Sequence, residues 1–335
     1  MREATLERPE GASVTPRRRS RALALGERYA LPAIWVLLVI GFSIAEPDRF
    51  PTLGNVANIF GSQAVLFVLT MAVLIPLVHG DFDLSLGAAA GLCAMTIALL
   101  NVQHHVPVVV ACLAGLGAAL AVGAVNSFFI VRLGNDPFII TLGSMTVVIG
   151  IVYAISGGAT VGIVSPDLTA WVFTRELLSI PVEFYYGIAL LLVVWYVLGM
   201  TPLGQRALFV GQSRDVARLS GIRVDRMRVG AFLAGGLIAG IAGILYVGTT
   251  GSADPATGQS LLLPAYAAAF LGSTSIRPGR FNAPGAAVAV YFLASGVAGL
   301  QLLGAQDYVQ QLFYGGALVI AVTLSNLIRK RQAAR

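Results

Sequence analysis

The residues best placed to do chemistry stand in two polar interruptions of an otherwise apolar chain. The first is Gly80-Asp81-Phe82-Asp83-Leu84-Ser85-Leu86-Gly87, and the second is Gly272-Ser273-Thr274-Ser275-Ile276-Arg277-Pro278-Gly279-Arg280. Each is followed by Gly-Ala-Ala, at Gly87-Ala88-Ala89 and Gly285-Ala286-Ala287. Matched glycine-interrupted segments are what an internally repeated transporter carries, so a weak internal repeat is expected. Asp83 and Ser85 admit two readings. Either caps the next helix, where negative charge suits the N-terminal dipole, or they line a solute path, the default for ionisable groups near lipid. Asn126, Asn135-Asp136 and Thr141 raise the same question, and Asp136-Pro137 reads equally well as the start of a helix.

Other chemistries find little support. The three histidines, His79, His104 and His105, show no H-E-x-x-H spacing for a metal. Cys93 and Cys112 lie in apolar segments, where packing is the default role. A phosphate-binding loop needs a lysine after its glycine run, and the one lysine, Lys330, follows Ile328-Arg329. No catalytic residue, metal or cofactor is expected, and any ATP hydrolysis must come from another chain.

The elements that position these residues are membrane helices. The chain is 57% hydrophobic and 11% charged, with a mean hydropathy of +0.81, whereas a soluble domain averages about 25% charged residues. Its apolar stretches run roughly 17 to 25 residues, the length that crosses a hydrocarbon core of about 30 Å. Ten spans are expected, near 29-45, 58-78, 84-101, 107-131, 137-156, 181-199, 230-249, 261-276, 284-303 and 311-328. Glu46-Pro47-Asp48-Arg49 after the first span is no signal-peptide cleavage site, so that span is expected to be retained. Gly and Ala at spacings of three and four, as in Gly236, Gly240 and Gly243, suit close helix packing in lipid.

Charge gives an independent check on the count. With the N-terminus inside and sides alternating, only Arg49 and Arg175 of the 22 basic residues fall outside. Positive residues concentrate on the cytoplasmic side of such proteins, so both termini are expected to be cytoplasmic. The net charge of +6 is then explained by topology, without nucleic acid. The expected organisation is a disordered basic leader (1-28), a transmembrane domain (29-328) and a cytoplasmic basic tail (329-335). Within the domain, 201-229 is a cytoplasmic loop. There Ser213-Arg214-Asp215-Val216-Ala217-Arg218-Leu219 reads as a short helix, capped by Ser213 and ended by Gly221. It either rests on anionic lipid or docks a cytoplasmic partner, with Arg214 and Arg218 on its face.

Several ordered motifs resemble the permeases of ribose-, xylose- and galactose-type ATP-binding-cassette importers, from about residue 50 to 328. Gly80 to Gly87 is similar to the family's G-G-x-D-L-S-x-G segment. Asp136-Pro137-Phe138-Ile139-Ile140-Thr141-Leu142-Gly143 resembles its P-F-I-x-T-L-G signature, and Ser156-Gly157-Gly158 its S-G-G. Thr201-Pro202-Leu203-Gly204-Gln205-Arg206, Gly211 and Ala217-Arg218-Leu219-Ser220-Gly221-Ile222 resemble the loop that contacts the ATPase. The chain departs from the pattern at Gly211-Gln212-Ser213, at Leu262-Leu263-Pro264 in place of an acidic E-L-D, and at Gly272-Ser273-Thr274-Ser275.

The resemblance implies an all-α polytopic permease subunit in the plasma (inner) membrane, moving a monosaccharide or similar small polar solute by alternating access. It implies a separate ATPase, an extracytoplasmic sugar-binding protein and a second permease copy as partners, within the lipid bilayer. It places ATPase coupling at Gly204, Arg206, Gly211, Ser213, Arg214, Ala217, Arg218, Ser220 and Gly221. The candidate translocation path is Asp83, Ser85, Asn126, Phe138, Thr141, Ser273 and Thr274. The competing readings are a secondary transporter or channel for a small neutral solute, and a membrane enzyme. A coupling acid or charged ring deep in a span would favour the former, and the spans carry almost no charge.

Overall fold

Apolar runs that must satisfy their own backbone become helices, and capping side chains decide where each begins. The computed structural model describes residues 21–333. The arginine cluster of the expected leader lies outside them. Helix α1 (Arg21–Ala45) starts earlier than the expected residue 29. α2 (Leu53–Ser62) is capped by Thr52, whose hydroxyl accepts from Asn55 N, and a single residue, Gln63, separates it from α3 (Ala64–Val78). α4 (Leu86–Ala98) and α5 (Val108–Ser127) each run on into one wide π turn. α6 (Pro137–Ser156) carries proline at its first position and Asp136 as cap, accepting from Ile139 N, so Asp136-Pro137 does start a helix.

A loop region follows, with β1 (Val161–Gly162), α7 (Pro166–Thr169), β2 (Glu176–Leu177) and β3 (Ile180–Pro181). Then come α8 (Val182–Met200), α9 (Pro202–Gln212), α10 (Arg214–Leu219) and α11 (Val224–Thr250). The chain ends with β4 (Ser252–Ala253), α12 (Thr257–Gly272), α13 (Ala283–Leu302) and α14 (Asp307–Ala333). β1 pairs antiparallel with β4, in register Val161↔Ala253, and β2 pairs with β3.

Among the described residues nine helices are long and apolar enough to cross a membrane, α2 and α3 counting together as one. The span expected at 261-276 is the exception. α12 has 16 residues, about 24 Å at 1.5 Å per residue, and falls short of a core of about 30 Å. It begins at Thr257 because the preceding chain is extended in β4 and tied to β1. The protein is an all-α polytopic membrane protein; among the described residues nine helices are long enough to span, and the short helix α12 stands where a tenth span was expected.

α3, α4, α11 and α13 form the interior, with α11 packed along α3, α4 and α5. α1, α6, α8 and α14 are mostly exposed, and Leu37, Ile44, Ile139, Val193 and Val319 present the apolar outer surface that lipid requires. α12 packs against α3, α4, α13 and α14. The glycines of the two matched Gly-Ala-Ala segments both press on it, Gly87 against Gly258 near its start and Gly285 against Gly272 at its end. At these contacts a β-carbon would overlap the facing carbonyl oxygen, so backbone meets backbone. Replacing Gly258 by Val is expected to cost about 1–3 kcal/mol through overpacking, read as a lower thermal midpoint in detergent. Gly117→Val, at a position with open space around it, is expected to leave the midpoint near that of the parent.

Candidate coupling junction and solute path

The first polar interruption is a helix ending. α3 closes with Gly80 in the left-handed conformation (φ +78°). Gly80 N donates to Leu77 O at 3.1 Å and Asp81 N to Pro76 O at 3.0 Å, the paired bonds of a Schellman motif. The turn points the Asp81 side chain inward, where it is fully buried. Arg228, in the first turns of α11, grips it with two bonds: Nε donates to Oδ2 and Nη2 to Oδ1, each at 2.8 Å. Arg214, the first residue of α10, donates from Nη2 to Asp81 Oδ1 at 2.7 Å and to Gly80 O at 3.1 Å. One carboxylate thus joins the α3–α4 turn, the start of α11 and the start of α10. Backbone contact reinforces the joint, since a β-carbon on Gly211 would overlap Val78 O.

This geometry corrects the reading of Arg214. It does not lie on an outward docking face but is turned inward onto Asp81, because a buried carboxylate needs compensating charge. Arg218 does face outward, paired with Asp225 at 2.9 Å with both side chains more than half exposed. Ser213 caps α10, accepting from Val216 N. Ala217 is buried against Val210 and Val224. Ser220 Oγ donates to Val216 O, and Gly221 ends the helix at φ +77°. Gly204 is buried in the first turn of α9 and Arg206 is exposed. Two apolar side chains that charge-based reasoning passed over complete the outward face: Leu219, 89% exposed, and Val216. Asp81, also missed, was recognisable as a carboxylate in a chain whose 201-229 loop holds six arginines.

Two residues beyond Asp81 lies a second buried network. Asp83 Oδ1 accepts from Ser85 Oγ at 2.6 Å and from Ser85 N at 3.1 Å, and Asn126 Nδ2 of α5 donates to Ser85 Oγ at 2.7 Å. Asp83 N donates to the Tyr266 hydroxyl of α12 at 3.0 Å, and the Phe82 ring stacks on Tyr266 and Phe270. Asp83 thus holds the backbone N–H of Ser85, the residue at the cap position of α4, while neither side chain makes a cap bond to the first turn of that helix. Asp83 Oδ2 and Asn126 Oδ1 are both buried without a hydrogen-bond partner among the described residues. Such unmet acceptors are costly and await a donor. Burial pushes the Asp83 carboxyl up to about 6, the Ser85 bonds opposing this and the nearby Asp81 charge adding to it. Burial also lowers the His79 imidazole, against the Ile75 carbonyl and Asp81.

The remaining path candidates divide. Thr141 is buried beside this network, bonding Pro137 O at 2.8 Å with Phe82 O at 3.5 Å. Phe138 is half exposed. Ser273 and Thr274 belong to a separate network that closes α12: Ser273 Oγ bonds Phe270 O and Ser325 Oγ, and Thr274 Oγ1 bonds Leu271 O. Asn282, the cap of α13, spans the same loop, donating to Gly272 O, Ser275 O and Arg280 O. Among the described residues no group of His, Cys, Asp and Glu could hold a metal.

Residues 55–322 match the family model described as the permease component of a branched-chain amino acid transport system. The chain belongs to this family of membrane permeases. It is 29% identical to the D-allose transport system permease protein of Escherichia coli (strain K12), over 91% of this chain and 93% of that one. It is 30% identical to the ribose import permease protein of Bacillus subtilis (strain 168), over 89% and 91%. It is 31% identical to the autoinducer 2 import system permease protein of Escherichia coli O9:H4 (strain HS), over 92% and 94%. No solved structure matches. The resemblance read from the motifs is borne out, and the permease is a multi-pass protein of the plasma membrane.

Two outcomes follow for the junction. Asp81→Asn leaves Arg228 buried without its counter-charge and is expected to cost about 3–5 kcal/mol, seen as lost yield or a lower thermal midpoint. The half-exposed Arg214→Ala is expected to cost less. The second concerns pH. The folded state holds the Asp83 proton between the ordinary carboxylate value, near 4, and about 6. Its contribution is therefore complete at low pH and lost as pH rises through 6. Asp83→Asn is expected to remove that decline, and the difference in midpoint between parent and variant isolates it from the opposite trend of His79. An unchanged pH profile in Asp83→Asn would contradict the protonated, buried carboxyl.

Proposed function

We propose that this chain is the membrane-spanning subunit of an ATP-binding-cassette importer that moves a monosaccharide or similar small polyol by alternating access. The observation that carries the reading is the joint at Asp81. It ties α10, whose outward face presents Val216, Arg218 and Leu219, to a buried polar network in which one carboxyl, Asp83, stands among neutral hydroxyl and amide groups. A separate ATPase would dock on Val216, Arg218 and Leu219, and its closure on ATP would shift α9 and α10. The shift would pass through Arg214 and Gly211 to the turn holding Asp83 and Ser85, a rigid-body rocking of packed helices. Solute crosses without chemical change, so no catalytic group is required of this chain. An extracytoplasmic binding protein would deliver the solute, and a second permease copy would complete the path.

The sugar class rests on the names of relatives and on the chemistry of the network. Ser85, Asn126 and Thr141 offer hydroxyl and amide groups, which suit a neutral polyol. A branched-chain amino acid, named in the family description, is a zwitterion and would call for paired charges. Asp81 is already committed to two arginines.

The test is co-purification of the full chain with an ATPase subunit, and stimulation of hydrolysis by D-ribose or D-allose with the cognate binding protein. Leu219→Glu removes an exposed apolar anchor and is expected to weaken ATPase association at least about thirtyfold, the equivalent of 2 kcal/mol at an interface hot spot, with membrane insertion intact. A chain that purifies without an ATPase and moves solute down a gradient would favour the channel or secondary-transporter reading.

A further inference from the structure

The break at Gln63 opens a cavity of about 240 Å³, room for several waters at about 30 Å³ each. It is walled by the end of α2 and start of α3, the end of α11, and the first turns of α12 and α14. Its lining includes Ser62, Gln63, Thr249, Ser260, Gln310 and Tyr314 and holds no charged side chain. Other cavities differ in this respect, carrying Arg277 and Arg280, or Arg132, Asp225 and Arg226, or Glu176. Discontinuous helices of transporters mark solute sites because the freed backbone and short side chains face a cavity, and here both the α2–α3 break and the short α12 meet. Two polar atoms next to the lining are buried and unpartnered among the described residues. They are Thr257 Oγ1, one turn before Ser260, and Glu183 Oε1, whose other oxygen accepts from Thr249 of the wall.

The position is informative. α11 joins Asp81 through its fifth residue, Arg228, so Thr249, 21 residues further on, stands about 32 Å along the axis from that joint. The cavity thus lies at the end of the molecule opposite α9 and α10, where solute arriving from outside would enter. We infer that this cavity is an entry subsite for a neutral polyol, bound by the hydroxyl and amide groups of Ser62, Gln63, Ser260 and Gln310. The inference rests on the importer reading for the chemical class of its ligand. The aromatic edge of Tyr314 and the apolar walls, Leu66 and Leu261, suit the C–H faces of a sugar ring.

Cysteine substitution in the full chain tests it in right-side-out membrane vesicles. Ser62→Cys and Ser260→Cys are expected to react with a membrane-impermeant methanethiosulfonate carrying a trimethylammonium group. Leu120→Cys, on the exposed face in the middle of α5, is expected to stay unlabelled, and the parent chain gives the background of Cys93 and Cys112. D-ribose or D-allose is expected to slow labelling of Ser260→Cys about threefold, the factor 1 + [L]/Kd at twice Kd. Unlabelled cysteines overturn the open cavity, and labelling that neither sugar slows overturns the polyol assignment. Both results are independent of ATPase co-purification, whose failure would strike the importer reading and not the cavity.

Discussion

A single buried carboxylate sets the terms for the cytoplasmic half of this fold. Asp81 is sealed from solvent, and a buried charge without partners is far costlier than any packing defect nearby. Arg228 and Arg214 must therefore reach it, which fixes where α11 and α10 start relative to the end of α3. The Schellman turn at Gly80 and the backbone contact of Gly211 on Val78 follow from the same requirement, since a bulkier residue at either place would push the arginine-bearing segments away. The fork geometry of Arg228 makes the joint directional as well as strong. A lysine there could match the charge but not the paired bonds.

The short distance from Asp81 to Asp83 gives this joint its functional interest. Asp81 is saturated, while Asp83 and Asn126 each keep one acceptor unmet inside the helix bundle. Movement of α10 would be felt first at Asp81 and next at the turn that presents Asp83 and Ser85. α12 touches the same turn through Tyr266 and Phe270, and at its other end its first turn lines the polar cavity at the Gln63 break. The short helix thus spans the interval between the proposed entry subsite and the joint. Its two glycine contacts, at Gly258 and Gly272, hold it against α4 and α13 more closely than side chains would allow.

Much of this was legible in the sequence. Hydropathy and the one-sided distribution of arginine gave the polytopic α class, because both reflect the cost of placing charge in lipid. The capping of α6 by Asp136 and of α10 by Ser213 followed from local chemistry that needs no tertiary information. What escaped notice depends on contacts distant in the chain. Arg214 is separated from Asp81 by 133 positions, so nothing local says that it turns inward. The shortness of α12 comes from β4 pairing with β1, which hydropathy does not register. The cavity is seeded by Gln63, one polar residue at a helix break within a long apolar run, too small a signal to separate from a tolerated surface residue.

The most direct test of the joint is the ratio of sugar transported to ATP hydrolysed in the reconstituted complex, compared between Arg214→Ala and Arg218→Ala. Arg214→Ala should retain ATPase binding and hydrolysis while moving less sugar per ATP, because the docked subunit no longer pulls on Asp81. Arg218→Ala should leave that ratio unchanged, since its effect is confined to docking. A wild-type ratio in Arg214→Ala would contradict transmission through the buried carboxylate.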